Sequence, residues 1–166
     1  MFARHFINSL DFAHHGRELR GELPVAELTR LEDMLAARTG QISYIVQGGR
    51  SKDGAPMLAV AIEGVCHLRC QRCLNELIYP ISLHTQLLLK QPDELESASA
   101  ELEEDEPDSI LADDHLDVAA MLEEEVLLSL PFAPKHPLGE CQGVMTGLDR
   151  SEKNPFAVLA DLKKSN

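Results

Sequence analysis

Two apolar runs, residues 57–68 and 77–89, separated by a short stretch holding Cys70-Gln71-Arg72-Cys73, constrain this chain more than any other feature. Both are rich in Val, Ile and Leu, which fit a pleated, half-buried surface. A third run, residues 41–47, precedes them across Gly48-Gly49-Arg50-Ser51-Lys52-Asp53-Gly54, where glycines supply positive φ at low cost and a hairpin loop is expected. Three antiparallel strands, with the cysteine pair in the last connection and Pro80 interrupting the third strand near its start, are the expected heart of the fold. The longest unbroken apolar stretch is residues 55–62, far short of the ~20 residues of a membrane-spanning helix.

Pro24 stands at a favourable first helical position, and Val25, Leu28, Leu31, Met34 and Leu35 recur three or four apart until Gly40. An amphipathic helix over 24–39 is expected. A second is expected over 117–130: Asp117 caps it, Val118, Leu122, Val126 and Leu130 form its stripe, Glu123, Glu124 and Glu125 face solvent, and Pro131 ends it. Residues 1–20 space Phe2, Phe6, Leu10 and Phe12 with polar groups and read as an edge strand turning at His14-His15-Gly16. The fold class is therefore α+β: an antiparallel sheet, curled toward a small barrel, packed by two main helices. The 166 residues suit one domain, 1–147, followed by a tail, 148–166, with a short helix opened by Asn154-Pro155-Phe156.

The formal net charge of −13 argues at first against nucleic-acid contact, which rests on Lys and Arg. Its distribution reverses that. Between Gln91 and Glu125 there are fifteen acids and no Lys or Arg, which leaves +2 for the rest. Like charges with little apolar surface do not collapse, so residues 91–114 are expected to form an acidic flexible loop. Such a loop is a solvated spacer or an arm that docks a basic partner. The start of the chain has no sustained apolar stretch, so a cytoplasmic location with reduced thiols is expected, and no membrane partner.

Cys70 and Cys73 are spaced to turn two thiolates onto one ion. Cys141 is the obvious third ligand and His136 the most reachable fourth, which makes zinc the candidate cofactor. The other reading is that free cysteines pack as small hydrophobes. Cys66 is set aside because the four extended residue steps from it to Cys70 span about 13 Å, too far for two sulfurs that each sit near 2.3 Å from one zinc. Arg50 and Lys52 in the hairpin, with Arg69 and Arg72 around the cysteines, are the candidate phosphate contacts. There is no glycine-rich phosphate loop, no His-Glu-x-x-His and no carboxylate pair in an apolar setting, so a non-catalytic protein without a small-molecule substrate is expected.

Three stretches together carry a resemblance. They are Leu68-Arg69-Cys70-Gln71-Arg72-Cys73-Leu74; the run from Asp117-Val118-Ala119-Ala120-Met121-Leu122 to Ser129-Leu130-Pro131-Phe132-Ala133-Pro134, with Cys141 after it; and Lys153-Asn154-Pro155-Phe156-Ala157-Val158-Leu159. In that order, with an acidic spacer between the first two, the chain resembles the large ribosomal RNA subunit accumulation protein (YceD) family. The resemblance implies a bacterial cytoplasmic factor supporting 23S rRNA accumulation and early assembly of the large ribosomal subunit. The partners it implies are the precursor large subunit, 23S rRNA or a basic ribosomal protein, L32 among them, with Asn154, Pro155 and Phe156 as further candidate contacts. Some relatives carry a further cysteine pair near the position of Cys141, where this chain has one cysteine.

Overall fold

In the computed structural model, residues 4–93 and 107–141 are described. The elements run β1 (Phe6–Ile7), α1 (Ser9–His14), β2 (Glu18–Pro24), two 3-10 turns (Val25–Glu27 and Thr29–Met34), β3 (Leu35–Ala37), β4 (Gln41–Arg50), β5 (Pro56–Arg69), β6 (Glu76–Lys90), β7 (Ser109–Leu111), β8 (Leu116–Asp117) and α2 (Val118–Ser129). The three long strands expected from the sequence are β4, β5 and β6, paired antiparallel in one continuous register from Arg50↔Pro56 and Ile42↔Gly64 to Met57↔Leu88 and Arg69↔Glu76. The β4–β5 turn is shorter than expected: Gly48 and Gly49 remain in β4, and Ser51 to Ala55 close the turn through a 2.8 Å backbone bond.

The sheet is open, ordered β2-β4-β5-β6-β7, with β3 pairing β5 beyond the end of β4. It does not curl into the expected barrel. Pro80 does not interrupt β6, because β7 covers only Leu88 to Lys90, so β6 is an edge strand at Pro80 and the missing N–H breaks no ladder there. The acidic segment also departs from expectation. Residues 94–106 lie outside the described residues, but Ser109–Leu111 is a strand running parallel to β6.

The expected helix over 24–39 is absent. In its place stand the two 3-10 turns and β3. The threefold step of Val25, Leu28, Leu31 and Met34 is the 3-10 period, in which residues i and i+3 eclipse, while Leu35, four residues after Leu31, opens β3. The expected edge strand over 1–20 is likewise replaced, in its described part, by the short β1, by α1 and by the start of β2. Asn8 caps α1 by accepting from the Asp11 N–H. α1 lies against β4, where a Cβ at Gly48 would collide with the Phe12 backbone carbonyl.

α2 forms as expected. The Asp117 carboxylate accepts from the Ala119 and Ala120 N–H groups at 3.0 and 3.3 Å, which satisfies two of the donors left open at a helix start. Val118, Leu122 and Val126 enter a core shared with Leu58, Val60, Ile62, Leu68 and Leu87 of the sheet. The three successive acids do not all face water. Glu124 does, but Glu123 and Glu125 are only 7% and 8% exposed, because α2 is covered on two sides. Glu123 accepts the Arg30 N–H at 2.5 Å, while the Arg30 guanidinium meets Glu124 at 3.1 Å, so the second 3-10 turn is clamped to the helix.

Burial, with Asp108 and Glu124 nearby, raises the Glu125 pKa above its ordinary value, against a lowering hydrogen bond to Thr85. A folded-state pKa above the unfolded one means that this carboxyl favours folding when protonated and loses that contribution as pH rises through the folded value. Glu125→Gln is therefore expected to raise Tm at pH 7 by about 1–3 °C, with the gain vanishing below the ordinary glutamate pKa. Calorimetry across pH checks this, and a loss of stability at pH 7 would contradict it. Gly48→Ala is expected to cost on the order of 2 kcal/mol in urea unfolding, as overpacking does. An unchanged midpoint would show that α1 can move away.

Candidate metal centre

β5 delivers Cys70 by parity. Its even-numbered residues Leu58, Val60, Ile62, Cys66 and Leu68 point into the core, and the next in that series is Cys70, fully buried at the strand's end. The connection to β6 is a tight turn closed by the Cys70 N–H donating to the Asn75 carbonyl and the Leu74 N–H to the Cys70 carbonyl, both at 2.9 Å. Leu74 takes φ of 61°, a left-handed conformation costly for a residue with a Cβ. That turn brings the Cys73 sulfur back beside Cys70. From the other side, the segment after α2 is tied on by the Gln71 N–H donating to the Pro134 carbonyl at 2.8 Å, which positions His136 and Cys141 over the turn.

The four expected ligands thus converge, with their ligand atoms all within 4.8 Å of one another. Sγ of Cys70 lies 3.7 Å from Sγ of Cys141, and Nδ1 of His136 lies 3.4 Å from Sγ of Cys73 and 3.7 Å from Sγ of Cys141. A tetrahedral zinc with Zn–S near 2.3 Å and Zn–N near 2.0–2.1 Å has edges of about 3.8 Å between sulfurs and about 3.6 Å between sulfur and nitrogen. The observed separations fit those edges. Nε2 of His136 is 2.9 Å from the Glu76 carbonyl, the outer hydrogen bond that fixes a ligating imidazole with its other nitrogen toward the ion.

The electrostatics also favour a cation. Burial opposes a charged Cys70 sulfur, yet the N–H groups of Cys73, His136 and Arg72, with the Cys73 thiol, bring its pKa down to about 5. At Cys73 the Asn75 N–H lowers the pKa, but desolvation and the sulfurs of Cys70 and Cys141 outweigh it and the thiol titrates high. The imidazole of His136 is raised by the Cys141 and Cys70 sulfurs. A second anionic sulfur beside Cys70 is opposed by like charge, as the raised Cys73 shows, and a divalent ion would relieve that repulsion. Cys66 stands apart in the core, where burial pushes its thiol up to about 11.

Arg72 has a different place from the one expected. Its Nε donates to Sγ of Cys141 at 2.9 Å and its guanidinium to the carbonyls of His136 and Pro137 at 3.1 and 3.2 Å. It is a clasp on the cluster, and its contact with Cys141 raises its pKa. Arg69 is exposed beside it on β5. Arg50 and Lys52 lie at the far end of the β4–β5 hairpin, with Arg50 donating to the Gly54 carbonyl. Thirteen steps of extended β5 put the two basic pairs about 40 Å apart, so they form no common patch. Asn154, Pro155 and Phe156 lie outside the described residues, as does the tail helix. The supporting roles of Pro134, Glu76 and Arg72 have no signal in the sequence, because they rest on carbonyls and on a chain crossing.

Fold and site together define a class: an open-sheet α+β protein whose longest hairpin is fastened at its tip by a Cys3His cluster. Comparison with known protein families matches residues 58–163, more than half the chain, to the family described as large ribosomal RNA subunit accumulation protein YceD. The chain belongs to that family. No solved structure matches it.

Protein purified without chelator is expected to carry about one zinc per chain, lost on Cys73→Ser or His136→Ala and unaffected by Cys66→Ala. Chelation is expected to lower Tm by roughly 10 °C. Less than about 0.3 zinc per chain with an unchanged Tm would reject a structural ion, whose binding energy is folding energy.

Proposed function

We propose that this chain is a non-catalytic cytoplasmic factor that supports 23S rRNA accumulation by holding a component of the precursor large ribosomal subunit, either rRNA or a basic ribosomal protein such as L32. The observation that carries this reading is membership of the large ribosomal RNA subunit accumulation family. The charge distribution supports it: an acidic stretch over 91–125 on an otherwise nearly neutral chain suits cationic ribosomal components, whose own charge is matched to RNA.

A second reading has its own support. The Cys3His geometry fits a zinc-stabilised nucleic-acid binding module in which the ion fixes the β5–β6 turn and presents Arg69 to phosphate. With Arg72 engaged on Cys141 and Arg50 distant, Arg69 and Lys135 are the exposed cations near the centre among the described residues, and this favours the first reading.

Deletion of the gene is expected to lower the 23S to 16S rRNA ratio, with wild-type chain restoring it and co-sedimenting with precursor large subunits. Replacing the acids between Glu101 and Asp108 by Ser is expected to weaken that association. An unaltered rRNA ratio on deletion would sink the assembly reading, while association surviving the Ser substitutions would remove the acidic arm from it. Binding of a short RNA abolished by chelation would favour the second reading instead.

A further inference from the structure

Beyond the cysteine cluster, an open groove of about 390 Å³ runs between α2, β7 and β8. Part of its lining is apolar, from Ile110, Leu111, Leu116 and Met121, and Leu111 is 53% exposed, unusually open for a leucine on a strand. The rest is mostly anionic. Asp113, Asp117, Glu123, Glu124 and Glu125 line it, with the Arg4 guanidinium paired to Asp117 and that of Arg30 to Glu124. The acids are held by the fold, since Asp117 caps α2 and Glu123 takes the Arg30 N–H, and burial first, then the charges of Asp108 and Glu124, raise the Glu125 pKa.

The arrangement does not suit a metal ion. The carboxylates are spread along the groove and committed to separate partners, and among the described residues the one convergent ligand group is the cysteine cluster. Nor does it suit RNA, whose phosphates the carboxylates repel. An exposed leucine and its apolar neighbours set among carboxylates match a segment with leucine-like side chains flanked by lysine or arginine.

We propose that this groove docks a cationic, amphipathic peptide segment of a protein partner, with an apolar side chain seated on Leu111 and Met121 and flanking lysines or arginines met by Asp113 and Glu124. The site rests on the reading above for its setting, a protein component of the precursor subunit, and names where on the chain that component is held. Binding has two separable contributions. Charge alone would draw any polycation, including to the acidic segment, whereas the apolar lining distinguishes partners by their apolar side chains.

Fluorescence anisotropy on the full chain tests this with three labelled probes: a 12-residue lysine–leucine peptide, a lysine–serine peptide of equal charge and a 12-nucleotide RNA. The leucine peptide is expected to bind roughly tenfold more tightly than the serine peptide, since one seated leucine is worth about that factor. Leu111→Ser is expected to erase the difference, and the pair Asp113→Asn with Glu124→Gln, all at exposed positions, to weaken the leucine peptide several-fold. Glu22→Gln, on the sheet face away from α2, leaves binding unchanged. Equal affinity for the two lysine peptides, no binding, preference for the RNA, or indifference to both groove variants would each overturn the proposal. A chain that fails these tests but restores the 23S to 16S ratio loses the groove alone. One that passes them without affecting the ratio loses the assembly reading instead.

Discussion

The pairing of β5 with β6 in a single register is the constraint from which the remaining structure follows. Side chains alternate along a strand, so a slip of one residue would carry every core residue of β5 to the outer face. The register that buries Leu58, Val60, Ile62 and Leu68 is also the one that sets Cys70 on the inner side at the strand's end, beneath the segment that follows α2. The hairpin's tip would otherwise be its weakest point, with a left-handed Leu74 and little apolar cover. Cys70 and Cys73 of the tip meet His136 and Cys141, 63 to 71 residues away in sequence, at that end. The post-helix segment is thereby tied to the sheet at one end of the molecule.

At the other end, α2 is fastened by polar contacts. Its cap, the Arg4 to Asp117 ion pair at 3.2 Å and the Val118 N–H donating to the His5 carbonyl strap the start of the chain across the start of the helix. Glu123 and Arg30 clamp the 3-10 turn along its side. Burying two carboxylates there has a stability cost, because one of them sits among like charges. Such a cost is tolerated where the charge serves a purpose, and the acidic groove beside α2 is the feature it creates. The molecule is thus polarised, with sulfur ligands fixing the hairpin tip and fixed carboxylates beside the helix.

What was legible in the sequence was whatever depends on local pattern. Long Val- and Ile-rich runs with a turn between them gave β4, β5 and β6, and Asp117 before a four-residue apolar repeat gave α2. The convergence of Cys70, Cys73, His136 and Cys141 was legible from residue type and spacing, since the chain has few cysteines. What escaped depends on tertiary cover. Val25, Leu28, Leu31, Met34 and Leu35 suit the apolar face of an α-helix, and only the threefold step of the first four points to 3-10 turns. Glu123 and Glu125 match a solvent-facing pattern because their cover, the turn around Arg30 for Glu123 and Thr85 with Asp108 for Glu125, has no trace in the helix's own periodicity. The engagement of Arg72 with the Cys141 sulfur and with the carbonyls of His136 and Pro137 has no sequence pattern to mark it.

X-ray absorption at the zinc edge of the purified full-length chain tests the central claim most directly, because it reads the ligand shell rather than its consequences. Three sulfurs near 2.3 Å and one nitrogen near 2.0–2.1 Å about the ion are the result the account requires. A shell of oxygen and nitrogen alone, or of four sulfurs, would contradict the joining of the hairpin tip to the post-helix segment through Cys70, Cys73, His136 and Cys141.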